Sequence, residues 1–270
     1  MQTLTMKKGI LAGQTALITG ANRGIGKALA TTIAGAGAHT IITARDPDSL
    51  EHLEDIIAAA GGLSETFQMD VTNSVQVRNV INSVVQKHGQ LDLLINNAGI
   101  DTDACLPWEQ DPDEWWQVQK VNVRGAYLCS HAALRHMTKQ RTGRIIDIGS
   151  MISATPNPSS SAYAVSKVAL LRMSTCFAAA AKDFGVNIFT VSPGLVATDL
   201  TSQPKFSGIP KEQWTPIAKC EALVLALASG KADILTGRFI HAGQHNLDEL
   251  IDNADQIIAQ DRLTLGLNID

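Results

Sequence analysis

Short runs of apolar and β-branched residues alternate along this chain with longer stretches in which the apolar positions fall three and four apart. The first pattern reads as a strand covered on both faces, the second as a helix with one apolar side. Residues 15–19 form the first such run, a glycine-rich turn follows, and 25–36 carries small and apolar residues suited to a helix. The unit then repeats: 40–43 reads as a strand, Asp46-Pro47-Asp48-Ser49 as a turn and helix start, and 50–60 as the helix. Further strands are expected at about 66–69, 91–95, 144–148, 187–191 and 239–241, with helices such as 75–87 and 115–137 between them. Steady alternation of strand and helix predicts a parallel sheet, so the expected fold class is α/β, a single doubly wound domain with helices on both faces.

No low-complexity linker and no repeat of 20–50 residues divides the chain. The expected organisation is an extension over residues 1–12, a body over 13–243 and a helical tail over 244–270. Two segments break the rhythm. Residues 198–216, with Pro204, Ser207, Gly208, Pro210 and Pro216, form a long loop, and long loops in compact domains are often lids. The substrate entrance is expected there, at about 195–216. In 247–259, Leu250, Ile251, Ala254 and Ile257 are spaced for an amphipathic helix that packs on the body or on a neighbour.

Composition narrows the partners. Hydrophobic residues make up 45% of the chain but aromatic ones only 4%, which leaves aliphatic side chains and Ala to pack the layers. The net charge is −4 and no basic run could track a phosphate backbone, so a small molecule is expected as partner and nucleic acid is not. Cys105, Cys129, Cys176 and Cys220 are too scattered for a disulfide framework and read as thiols. Lys7 and Lys8 before an apolar stretch resemble a signal peptide faintly, but Gly9, Gly13 and Gln14 interrupt it, and strand one is the better reading. No run of about 18 apolar residues suggests a membrane span, and a cytoplasmic protein is expected. His241 and His245 stand four apart, yet Gly243 breaks the helix that would align them, so no metal is expected. Trp108, Trp115 and Trp116 read as packing or subunit-contact residues, and Asp111, Asp113 and Glu114 as a helix N-terminal charge cluster.

Two constellations carry chemistry. Tyr163 and Lys167 stand four apart in the helix-forming run Tyr163-Ala164-Val165-Ser166-Lys167, hence on one helix face. A phenol loses its proton near pH ~10, and a neighbouring ammonium favours the phenolate. Taken alone, the pair could equally be two residues on a solvated face. Gly20-Ala21-Asn22-Arg23-Gly24-Ile25-Gly26 lies between strand one and helix one, where backbone amides and the positive helix end can hold a pyrophosphate. Taken alone, it could be a turn built only for close packing.

Together with Asn96-Asn97-Ala98-Gly99, Ser150 and Pro193-Gly194, in that order along the chain, these motifs resemble the short-chain dehydrogenase/reductase family over residues 11–243. The resemblance implies a Rossmann-type sheet and an oxidoreductase that moves a hydride between a nicotinamide cofactor and a ketone, aldehyde or secondary alcohol. It implies that Tyr163 is the general acid or base, that Lys167 lowers the Tyr163 pKa and binds the nicotinamide ribose, and that Ser150 holds the substrate oxygen. Asn122 resembles the anchor of a water relay to the lysine. For the cofactor the resemblance implies the turn Gly20, Asn22, Arg23, Gly24, Ile25 and Gly26, with Asn96 on a ribose and Ala98 and Gly99 lining the site. Asp70 and Val71 resemble adenine contacts, and Pro193, Val196 and Thr198 the contacts around the carboxamide; Asp, Thr and Pro at such places also serve turns. Related enzymes pair through two long helices, here about 115–137 and 162–184, so a homodimer or homotetramer is expected, with Ala132, Ala133, Ala169, Cys176 and Ala180 allowing close approach.

NADP(H) rather than NAD(H) is the expected cofactor. An acidic residue at the end of strand two would bind the ribose hydroxyls of NAD, and Ala44 stands there by resemblance. Arg45 follows, and with Arg23 it can offer a phosphate a planar fork of donors, unless an acid claims either one. Asp46 lies 20 residues after Gly26, but Pro47 beside it assigns its carboxylate to a helix cap. The rival reading from another class is a nicotinamide-binding sensor or scaffold without turnover; within enzymes, an epimerase or dehydratase could use the same tyrosine. The chain departs from the family after the last strand, where Ala242-Gly243-Gln244 leads into the tail instead of closing on a glycine pair.

Overall fold

In a computed structural model the chain is described over residues 9–266. Expectations for residues 1–8, Lys7 and Lys8 included, and for 267–270 of the tail lie outside the described residues. Seven strands form one sheet: β1 (Thr15–Thr19), β2 (His39–Ala44), β3 (Leu63–Gln68), β4 (Leu93–Asn96), β5 (Gly143–Ile148), β6 (Val186–Ser192) and β7 (Phe239–His241). Their spatial order is β3-β2-β1-β4-β5-β6-β7, and each neighbouring pair is parallel. The chain winds outward from β1 to β3, crosses back, and winds outward again from β4. The reversal opens a crevice beyond the carboxyl ends of β1 and β4.

Side chains of successive strand residues enter two cores, one on each face of the sheet. Ala16 and Ile18, Leu93 and Ile95, and Ile146 and Ile148 face α1 (Gly24–Gly35), α2 (Asp48–Ala59) and α7 (Ile217–Ala228). Leu17, Leu94 and Ile145 face α3 (Ser74–His88), α5 (Ala126–Gln140) and α6 (Ser161–Ala181). Burial of both faces explains why these strands read as continuous apolar runs. β3 is an edge strand bonded only to β2, and it begins at Leu63, three residues before the expected start at 66, because its half-exposed sequence carries no apolar run.

The helix expected at 115–137 is α4 (Pro112–Gln119), a π-helical turn (Lys120–Gly125) and α5 in succession. Asp111 caps α4, accepting hydrogen bonds from the Asp113 and Glu114 amides. At the π turn Gly125 lies so close to Val71 that a Cβ would come within 2.7 Å of it. The tail is two short helices, α8 (Leu247–Asp252) and α9 (Ala254–Ala259), rather than one, and Ala254 and Ile257 are buried in the core on the α1 face. Beyond α9, the Leu263 carbonyl accepts from the Phe239 amide at 2.8 Å and Asp261 pairs with Arg238 at 2.6 Å, so the tail covers the edge of β7. Ser161–Phe184 is long and apolar enough to cross a membrane by composition alone, but within the fold its inner face packs along β6.

Candidate active site

The carboxyl ends of β1, β2, β4, β5 and β6 open into a cleft of about 790 Å³. Its first wall is the glycine turn. Gly20 and Gly24 have φ of +63° and +53°, and no side chain caps α1, whose first turn also lacks an acidic residue. The leading amides of α1 therefore keep their partial positive charge for an anion. Gly20, Asn22, Arg23, Gly24 and Ile25 line the cleft, but Gly26 does not. A Cβ at Gly26 would lie 2.2 Å from the Gly20 carbonyl oxygen and 2.4 Å from Asn97 Nδ2, so this glycine folds the turn rather than touching a ligand. Asn97 holds the turn from below, its Nδ2 donating to the Thr19 and Gly20 carbonyls at 3.0 and 2.9 Å.

At the next strand ends, Ala44, Arg45, Asp46, Asp70 and Val71 line the same cleft. Asp46 Oδ1 accepts from the Asp48 amide at 3.2 Å in the turn before α2, but the expected cap is not formed: Pro47 holds the cap position and no side chain caps the helix. Asp70 Oδ1 is likewise engaged by the Thr72 amide and hydroxyl, each at 2.8 Å. Among the described residues Arg45 has no acidic partner within salt-bridge distance, whereas Arg23 lies 3.2 Å from Asp199 across the cleft, an exposed pair.

Asn96 corrects the expectation of a ribose contact. It is 5% exposed and outside the cleft, and its Nδ2 donates to Ser130 Oγ at 2.9 Å and Asp147 Oδ1 at 2.7 Å. The reason is strand parity: Asn96 faces the same side as Leu94, toward α5, and pairs across the sheet with Asp147. Ala98 and Gly99, which follow β4, do line the cleft, as do Pro193, Val196 and Thr198 beyond β6.

Ser150, Tyr163 and Lys167 meet on the wall formed by β5 and α6. Lys167 is 4% exposed, its Nζ donating to the Ile148 carbonyl at 2.8 Å and lying 5.4 Å from the centre of the Tyr163 ring. Burial lowers its pKa to about 8, against the opposing charges of Asp147 and Asp101. The expected lowering of the Tyr163 pKa is not found. Burial pushes the phenol above its ordinary value, Asp101 adds to that, and a hydrogen bond with Ser150 only partly offsets it, while the Lys167 charge faces the ring.

Asn122 lies in the π turn, 1% exposed and outside the cleft. Its Oδ1 accepts from the Ile100 amide, and its Nδ2 donates to the Ile100 carbonyl and to Ser166 Oγ, at 2.9, 2.9 and 3.0 Å. The side chain is therefore a clamp between the segment after β4 and α6.

Three acids and bases of the site lack an individual signal in the motifs. Asp101 lines the cleft and holds Lys205 of the loop at 2.6 Å. Asp147, beneath Lys167, is 1% exposed, with its pKa raised to about 6 by burial despite hydrogen bonds from Ser174 and Asn96. A lone carboxylate inside the apolar run of β5 is the clue the sequence did carry.

A family model described as short chain dehydrogenase matches residues 14–205. The 3-oxoacyl-(acyl-carrier-protein) reductase FabG of Salmonella typhimurium is 33% identical over 236 residues, covering 85% of this chain and 95% of that protein. The short chain dehydrogenase pigC of Monascus ruber is 33% identical over 267 residues, covering 95% and 87%. Among solved structures, a gluconate 5-dehydrogenase from Burkholderia cenocepacia in complex with NADP and tartrate superposes with a TM-score of 0.81 at 29% identity, covering 87% of this chain and 95% of that one. A short-chain type dehydrogenase/reductase from Mycobacterium marinum gives 0.81 at 32%, covering 86% and 94%.

Proposed function

The chain belongs to the short-chain dehydrogenase/reductase family, and on that premise we propose that it transfers a hydride between NADP(H) and a ketone, aldehyde or secondary alcohol, with Tyr163 as the proton donor in reduction. The observation that carries this reading is that Ser150, Tyr163 and Lys167 open onto the same cleft as the uncapped start of α1. A nicotinamide dinucleotide supplies or accepts the hydride when bound.

The protein's residues fit that group. The leading amides of α1 would hold the pyrophosphate, and the tight packing of Gly20 and Gly26 leaves no Cβ in the way. Arg45, with no acid paired to it among the described residues, would take a 2′-phosphate, while the Asp46 carboxylate accepts from the Asp48 amide. Ser150 and Tyr163 would share the carbonyl oxygen, and the phenol gives that oxygen its proton as charge develops there. A phenol held protonated by burial suits the reductive direction. Lys167 would bind the nicotinamide ribose and replenish the tyrosine proton. Lys205, Phe206 and Ile209 line the cleft, and the 195–216 loop that carries them would cover its substrate end.

The neighbours' names include a 3-oxoacyl reductase and a gluconate dehydrogenase. The test is therefore cofactor consumption over a panel containing 3-oxoacyl thioesters, keto-sugar acids, simple ketones, aldehydes and alcohols. Turnover that Tyr163→Phe removes supports the reading; no turnover with any member rejects it. We also propose self-association through α5 and α6. Its contact would use exposed Tyr127, Val165 and Val168 rather than Ala132 and Ala133, which are buried in the core and cannot reach a partner.

A further inference from the structure

Far from the cleft, His39 at the start of β2, Glu65 in β3 and His88 at the end of α3 turn their side chains toward one point. Their ligand atoms all lie within 4.8 Å of one another. His88 Nε2 is 3.1 Å and His39 Nε2 3.8 Å from the same oxygen, Glu65 Oε2. A tetrahedral zinc with bonds of roughly 2.0–2.2 Å holds its ligands about 3.4 Å apart, so small side-chain movements suffice to place all three on one ion. Glu65 Oε1 is taken by Lys87 at 2.6 Å, which orients the carboxylate and leaves Oε2 for the histidines.

His39 Nε2 is buried and has no hydrogen-bond partner. A buried, unpaired ring nitrogen is uncommon enough to need a reason, and an ion is one. Two imidazoles and one carboxylate are a donor set that zinc and its neighbours in the transition series accept, with solvent as the fourth ligand.

We propose that His39, Glu65 and His88 bind one divalent transition-metal ion of the zinc class, tying the β2–β3 edge of the sheet to the end of α3. The site is separate from the hydride-transfer reading. β2 runs from His39 to Ala44, which lines the cleft, so roughly 16 Å of strand divides the two.

The experiment uses the full-length protein stripped of metal. Cobalt(II) titration followed by visible absorption, with zinc as competitor, should give one tetrahedral site per chain. His39→Gln and His88→Gln should each raise the zinc dissociation constant by at least about tenfold, since even outer-shell losses cost 10–100-fold. His245→Gln should leave it unchanged; His245 Nδ1 already accepts the His241 amide at 3.0 Å. Zinc should raise the melting temperature of the parent and not of the two variants. X-ray absorption of the zinc-loaded parent should report two imidazoles in a nitrogen and oxygen shell, and it decides the matter even if a variant fails to fold. A shell containing sulfur, an affinity unchanged in either variant, or no saturable binding to the parent overturns the proposal.

Discussion

Lys205 Nζ lies 2.6 Å from Asp101 Oδ2, and the two side chains are only 13% and 3% exposed. The pair fastens the loop beyond β6 to the segment beyond β4, in the cleft that Tyr163 also lines. Removing the lysine leaves a shielded carboxylate unpaired, which the loop can relieve by opening. Lys205→Met is expected to raise KM severalfold with a smaller change in kcat. Asp101→Asn should do more: its charge raises the Tyr163 pKa, so its loss moves the alkaline fall of carbonyl reduction to lower pH. A pH profile of kcat/KM that does not move removes Asp101 from the proton equilibrium.

Tyr163→Phe is expected to reduce turnover by about 10²–10⁴-fold, the usual contribution of a positioned acid. Nucleotide binding, followed by fluorescence titration, should survive in that variant and weaken in Lys167→Ala, whose ammonium the cofactor ribose would lose.

Arg45 should make NADPH the better cofactor on the order of tenfold or more in kcat/KM, as contacts of ~1.5–3 kcal/mol to a charged group allow. Arg45→Asp is expected to reverse much of that preference. Equal use of NADH by the parent would remove the assignment, and an unchanged ratio in the variant would transfer it to another residue.

Asp147 has a folded pKa of about 6 against an ordinary value of 3.8. The folded chain therefore binds more protons than the unfolded one between those two values, and stability falls as pH rises through that window. Asp147→Asn should remove this part of the slope. Urea midpoints measured on either side of the window compare the two proteins; parallel curves would show that Asp147 titrates normally.

Val168, 36% exposed on α6, lies on the face proposed to meet a second copy. Val168→Asp should lower the mass seen by light scattering at micromolar concentration. A parent that is already monomeric contradicts the proposal.

The sequence by itself determined the layers. Continuous apolar strands and one-sided helices can be satisfied only by a sheet covered on both faces, and the local signals for the glycine turn and for Tyr163 with Lys167 depend on spacings of a few residues. Tertiary structure decided which way each of those residues looks and what lies opposite. Asn96 turned away from the cleft because strand parity points it at Asp147, and Gly26 served the turn because the Gly20 carbonyl stands where a side chain would go. Asn122 was absorbed by Ile100 and Ser166. The Asp101–Lys205 pair joins residues 104 apart, and His39, Glu65 and His88 come from three separate elements. No local pattern records such meetings, because they depend on strand order and register, and these are set by how the whole chain buries its apolar surface.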